Sequence, residues 1–217
     1  MTSVPPSERA EELIIACDML GNPQQPRSRD LVLEEMATYS RRTGDCDIAV
    51  PVVYLVLYNG KRQLYVVRRS DKKDENPGLY DKTVGGHCNY GENFDQTLRR
   101  ETREETGIEV TVTSDEDFVD VRQSANLREK AVVRRIAFDP WCPSLRKMRT
   151  GTPWVKRVRV AIYAGQYEGD VSFKDREAVE LNLWTPEQLA KEIRQNRNRF
   201  TKDIVEILGR YATQIIR

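Results

Sequence analysis

The chain has 217 residues, 39% of them apolar, with 35 basic against 34 acidic side chains, four cysteines and one histidine. That length fits one generous domain with its own core, and the near-balanced charge excludes a molecule that grips polyanions over its whole surface. Cys17, Cys46, Cys88 and Cys142 form no C-x-x-C pair, and one histidine gives no clustered ligand spacing, so neither a disulfide framework nor a zinc site is expected.

No apolar run approaches the roughly 18 residues of a membrane span. Met1 to Arg9 lacks the apolar stretch of a signal peptide, so a cytoplasmic protein with no membrane partner is expected. Glu11 to Asp18, with a turn at Gly21-Asn22-Pro23, predicts a short leading strand or hairpin, and Leu31 to Met36 a short helix or turn. Ile48 to Tyr58 reads as an apolar strand, Asn59-Gly60 as a two-residue hairpin turn, and Arg62 to Arg68 as the antiparallel return. Tyr80 to Gly86 is expected to be a strand feeding a glycine loop, and after the next helix Val110 to Val121 holds one or two strands.

Residues 123 to 153 stay ambiguous, because Pro140 and Pro143 break the pattern and Thr150-Gly151-Thr152-Pro153 marks a loop. Trp154 to Gln166 alternates: Val158, Val160, Ile162 and Ala164 lie on one face, Arg157, Arg159 and Tyr163 on the other. The pattern predicts a half-buried strand with an open basic face. Leu181 to Trp184 forms a strand, and Thr185 caps a helix with Pro186 at its first position. Thr201 leads a final helix with an apolar face of Ile204, Leu208, Tyr211 and Ile215.

Chemistry concentrates between Gly86 and Ile108. Asn93 is a good N-cap with Gln96 in the capping-box position, and Gly107 supplies the stop. Phe94, Leu98 and Thr102 form the packing stripe, with Glu101 and Glu105 at or beside the same azimuth. Two carboxylates about 4 Å apart repel by about 4 kcal/mol at an effective dielectric near 20, and burial adds to the cost. Arg100, four residues before Glu104, is expected to pair with it. That leaves Glu101 and Glu105 for a hard, oxygen-seeking cation such as Mg2+ or Mn2+. The competing reading is a solvated acidic helix face.

Gly86, Glu92, Arg100, Glu101, Glu104, Glu105, Gly107 and the apolar Ile108 fall at the spacing of the Nudix box, so the chain resembles the Nudix hydrolase superfamily. Thr102 departs from the aliphatic residue usual at its position. Val66 to Ser70, Lys73, Pro77 to Asp81, Gly85 to His87, Glu180 to Leu189 and Arg199 to Thr201 resemble the branch that contains isopentenyl diphosphate isomerase. The resemblance implies an α/β fold, an α/β/α sandwich on a mixed central sheet. It covers residues 46–217 as the hydrolase domain, with residues 1–45 as an N-terminal extension packed on it.

It further implies that the Gly85 carbonyl with Glu101, Glu105 and Glu104 holds the metals and that Arg100 orients the glutamates. The reaction implied is attack of metal-activated water on a diphosphate bridge. Arg68, Arg69, Lys73, Arg157 and Arg159 are candidates to grip substrate phosphate, and Glu177 or Glu180 to serve as a distal base; the plain alternative for each is solvated surface charge. His87 reads better as a hydrogen-bonding neighbour than as a ligand, and Cys88 as an inert thiol.

Three functions compete: a pyrophosphohydrolase of a small diphosphate, a silent Nudix-fold sensor, and an isomerase. The isomerase reading is opposed because Gly85 stands where its cysteine belongs and the chain has one histidine. Arg122 to Arg159 carries eleven basic residues against Glu129 and Asp139. A solvated, partly mobile loop is favoured there over a nucleic-acid groove. Oligomeric state is open, a homodimer included.

Overall fold

The computed structural model describes residues 12–173 and 177–216. Glu11 and the Met1 to Arg9 segment lie outside the described residues. Three two-residue strands come first, Leu13–Ile14 (β1), Cys17–Asp18 (β2) and Arg27–Ser28 (β3), then helix Arg29–Thr43 (α1). Strands Ile48–Tyr58 (β4), Leu64–Arg69 (β5), Tyr80–Asp81 (β6) and Val84–His87 (β7) lead into helix Phe94–Thr106 (α2). Glu109–Thr113 (β8), Phe118–Ser124 (α3), Lys130–Arg146 (β9), Trp154–Gln166 (β10), Ala178–Trp184 (β11), Pro186–Gln195 (α4) and Lys202–Ile215 (α5) complete the order.

β4 is apolar at nearly every position because both its faces are covered. Val50, Val52, Tyr54 and Val56 face one core with Val32 and Met36 of α1, Leu189 of α4 and Ile204 of α5. Val53, Leu55 and Leu57 face a second core with Leu98 of α2. The result is an α/β/α sandwich on a nine-stranded mixed sheet whose main path runs β11-β5-β4-β10-β9-β8. β10 pairs parallel to β4 and β8 parallel to β9, while β9 and β10 are antiparallel. Among the described residues no helix is long and apolar enough to cross a membrane.

One irregularity positions the site. β4 and β5 pair only at Tyr58 and Leu64; beyond that point β7 pairs with β4 over Val52 to Leu55, and β6 pairs with β5. The expected single strand from Tyr80 to Gly86 is therefore two pieces, and the glycine strand is held against the middle of the sheet.

Other expectations change for identifiable reasons. The short helix or turn expected over Leu31 to Met36 is a longer, 15-residue helix closed by Gly44 at φ 88°, with Val32, Met36 and Ala37 as its buried stripe. Its Ser40 hydroxyl accepts from the Val155 amide at 2.9 Å, joining the N-terminal part to β10. Asn59-Gly60 does not form a two-residue hairpin. The Asn59 side chain accepts from the Lys61 and Gln63 amides, and Arg62 takes the positive φ of 60°. Val110 to Val121 gives one strand and a helix, β8 and α3.

The ambiguous stretch is mostly β9. Pro140 and Pro143 are tolerated because β8 covers β9 only from Lys130 to Arg134, which leaves the later part an edge, and a register shift falls between Val158 and Val160 opposite them. The outer face of β10 is not open: Tyr163 is fully buried in the second core. Nor is the basic stretch a solvated loop, since Arg134, Arg146 and Lys156 are buried.

Candidate active site

Helix α2 begins and ends where its sequence dictates. The Asn93 side chain accepts from the Gln96 amide and the Gln96 side chain from the Asn93 amide, both at 2.9 Å, and Gly107 adopts φ 74°. Leu98 and Thr102 are fully buried. The Thr102 hydroxyl donates to the Leu98 carbonyl at 2.7 Å, so threonine in place of an aliphatic residue leaves no unsatisfied polar atom.

This packing turns Glu101 toward the glycine strand. A Cβ on Gly86 would lie 2.0 Å from Glu101 Cδ, so only glycine lets the carboxylate approach the strand this closely.

Arg100 organises the loop, though not mainly through Glu104. Its Nε and Nη2 donate to the two oxygens of Glu92 at 2.8 and 2.9 Å, and Nη2 also reaches the His87 carbonyl at 3.0 Å. Nη1 donates to Glu101 at 2.9 Å and to Glu104, whose side chain is 56% exposed, at 3.3 Å. Bidentate geometry makes Glu92 the stronger partner. Arg100 holds the Glu92 carboxyl below its usual range. Glu101 is pushed up by burial, which outweighs the nearby Arg100 charge. A buried carboxylate in that state gains from a cation.

Glu101 and Glu105 line a cleft of about 460 Å³ together with Gly85 and Gly86. Arg69, Lys73 and Glu177 form another wall, Lys73 pairing with Glu177, and Arg29 of α1 stands at the border. The remaining candidates do not line it. Arg68 bonds Asp71 at 2.9 Å, Glu180 accepts from Asn182 at 2.9 Å, and Arg157 bonds Asp45 at 2.5 Å and the Trp141 carbonyl at 2.9 Å. Arg159 lies 5.7 Å over the Phe138 ring. Arg100 and Glu104 are not among the residues that line it. A larger, open depression of about 810 Å³ around Tyr58, Arg122 and Arg128 contains none of the α2 carboxylates.

The cleft floor is charged, and the sequence reading did not identify it as part of the site. Lys82 Nζ is 3.1 Å from Asp81 and 3.2 Å from Asp203, and lies 3.9 Å over the Tyr54 ring. Asp203 accepts from Ser144 at 2.5 Å; burial pushes its carboxyl up, but Lys82, Arg146 and Ser144 together hold it far below the usual range. Lys156 Nζ is 3.1 Å from His87 Nε2. Burial and the Lys156 charge hold His87 well below its ordinary pKa, so the ring is neutral and Nε2 accepts from the ammonium. That nitrogen is therefore engaged and does not face a metal. One signal was available for Lys156: strict alternation puts it on the same face as Val158 and Val160.

The model of the NUDIX domain family matches residues 49–204. The chain belongs to the Nudix family. A Nudix hydrolase of Deinococcus radiodurans is 40% identical over 65 residues, 30% of this chain and 38% of that protein. An isopentenyl-diphosphate Delta-isomerase of Citrobacter koseri is 33% identical over 104 residues, 46% of this chain and 50% of its own length. The chain thus spans between about a third and a half of the curated relatives it matches. A crystal structure from Deinococcus radiodurans superimposes with a TM-score of 0.58 at 20% identity, over 95% of this chain and 100% of that one, which shows the shared fold. Nudix hydrolases generally use divalent metals.

Among the described residues no three His, Cys, Asp or Glu side chains converge closely enough to hold an ion unaided. The donors still fit a hard cation: Glu101 and Glu105 share the cleft with the Gly85 backbone, and Mg2+ commonly takes one or two carboxylates with water and substrate oxygens completing its shell.

Proposed function

We propose that the chain is a Mg2+- or Mn2+-dependent pyrophosphohydrolase acting on a small organic diphosphate in the cytoplasm. The observation that carries this reading is the buried Glu101 carboxylate beside Glu105 in a cleft whose other walls supply Arg69 and Lys73. Glu101 and Glu105, with the Gly85 carbonyl, would hold the metal; Glu104, which does not line the cleft, is left out of that set. When bound, such an ion lowers the pKa of its water and polarises a phosphoryl oxygen.

Arg100 keeps Glu101 aimed at the cleft while tying Glu92 and the His87 carbonyl into one rigid loop. Arg69 and Lys73 bind substrate phosphate. Glu177, paired with Lys73, would take a proton from the attacking water. Water oxygen bonds to one phosphorus as the bridging P–O bond breaks, and the leaving phosphate keeps the bridging oxygen.

The test is a panel of organic diphosphates with Mg2+ or Mn2+ in 18O-labelled water. One solvent oxygen in one product phosphate is expected. Exchange of carbon-bound hydrogen without phosphate release would replace this reading with isomerisation, and binding without any turnover would replace it with a sensor.

A further inference from the structure

Arg69 and Lys73 stand on the walls of the cleft; Arg146 and Lys156 stand on its floor, with Glu75 beside them. Lys156 is 2% exposed and Arg146 7%, and both line the cleft. Arg146 forms long ion pairs with Glu75 at 3.6 Å and Asp203 at 3.7 Å, and among the described residues its buried Nε has no hydrogen-bond partner. The hydrogen bond of Lys156 is to His87 Nε2 at 3.1 Å, which leaves its other N–H groups for something else. Burial and the Arg146 charge pull Lys156 down to about 7, against the opposing pull of Glu75 and Asp203. Folded chains seldom bury such donors without a partner, and these two border open space in the cleft.

The floor is also closed. Behind Arg146 and Lys82 stand Ser144, Thr201, Asp203 and Ile204, all 5% exposed or less, so the start of α5 seals that end. A group seated on the floor is therefore the end of a molecule.

We propose that Lys156 and Arg146 seat a terminal phosphate, so that the substrate is a compound ending in a free diphosphate or longer polyphosphate and not a diphosphate esterified at both ends. This deepens the hydrolase reading and rests on it. A monoesterified phosphate brings up to two negative charges and three acceptor oxygens, which matches the unused donors of Lys156 and Arg146. A second organic group would have to displace Ser144 and the α5 terminus.

The experiment uses methylenediphosphonate, which cannot be hydrolysed at its bridge, and its P,P′-dimethyl ester, titrated calorimetrically into the Mg2+-loaded protein. The uncapped probe should bind at least tenfold more tightly than the capped one. Lys156→Met, its fold checked by its melting curve, should lose that discrimination and at least tenfold of the affinity. Equal affinities in the native protein overturn the proposal, and so does undiminished discrimination in a folded Lys156→Met. The native comparison decides even if the variant fails to fold. In the hydrolysis panel, turnover confined to two-ended diphosphates removes the terminal-phosphate seat but leaves the hydrolase. Absence of all turnover, with Lys156-dependent binding intact, removes the hydrolase but leaves the seat.

Discussion

Gly86→Ala isolates the contact on which the site depends. The new Cβ would meet Glu101 Cδ at 2.0 Å, Oε1 at 2.2 Å and Cγ at 2.3 Å. Carbon atoms settle near 3.5 Å, so the Glu101 side chain must move by about 1.5 Å. A strained rotamer costs about 1 kcal/mol. Loss of the 2.9 Å bond from Arg100, at a side-chain exposure of 16%, adds about 1 kcal/mol more. For a domain of this size the sum lowers the melting temperature by roughly 4–8 °C, so the variant stays folded. A displacement beyond 1 Å of a group that positions the reaction lowers kcat/KM by about a hundredfold.

The assay pairs steady-state kinetics on an active diphosphate with thermal melting. Because the clash acts through one side chain, Gly86→Ala with Glu101→Gln should be no slower than Glu101→Gln alone. A folded Gly86→Ala within threefold of native activity would refute the reasoning, and so would a double variant much slower than Glu101→Gln.

Glu101→Gln and Glu105→Gln should each lower turnover by about a hundredfold or more with the fold retained, and near-normal activity in either would remove the metal assignment. Arg100→Ala leaves Glu92 and Glu101 without their shared partner, so melting temperature and turnover should fall together; Arg100→Lys should rescue little, since one ammonium cannot span the Glu92 fork. Burial holds the Cys88 thiol up at about 11, so it is protonated at neutral pH and Cys88→Ser should change turnover little; a collapse would indicate thiol chemistry. Lys156 has a folded pKa of about 7 against 10.5 when free, so between those values the unfolded chain binds the proton and the folded chain does not. Stability should therefore rise from pH 7 to pH 9, with Arg146, Glu75, Asp203 and Lys82 the charges facing the group, and the rise should be smaller in Lys156→Met. Equal melting-temperature slopes in the two proteins would contradict this.

Local chemistry explains how much was legible. The α2 cap, its stop and its stripe depend on residues within four positions of one another, so the sequence carried them. The stronger partner of Arg100 lies eight residues away across a glycine loop, and helical spacing alone showed only the weaker pair with Glu104. Lys82 and Asp203 are 121 residues apart, and no local pattern joins them. Pro140 and Pro143 spoke against a strand because their tolerance depends on β8 ending its pairing at Arg134, a tertiary fact.

The basic stretch shows why local charge count is a poor guide to partner. Its cations divide between the two faces of β9 and β10, and much of their charge is spent inside the fold. Arg134 is bonded to Asp115 at 2.9 Å and to the Gln214 carbonyl at 2.9 Å, Arg149 to Asp74 at 2.8 Å, and Arg157 to Asp45. A polyanion groove needs cations aligned on one accessible surface, with side chains free to exchange counterions for phosphates. Here Arg146 and Lys156 are withdrawn to the floor of a cleft that admits a small anion, and the cations that remain on the outer strand face are engaged by a carboxylate or by aromatic rings. The same period-2 alternation that hid Lys156 among valines is what withdraws part of a strongly basic segment to the floor of a cleft, where the proposed phosphate seat lies.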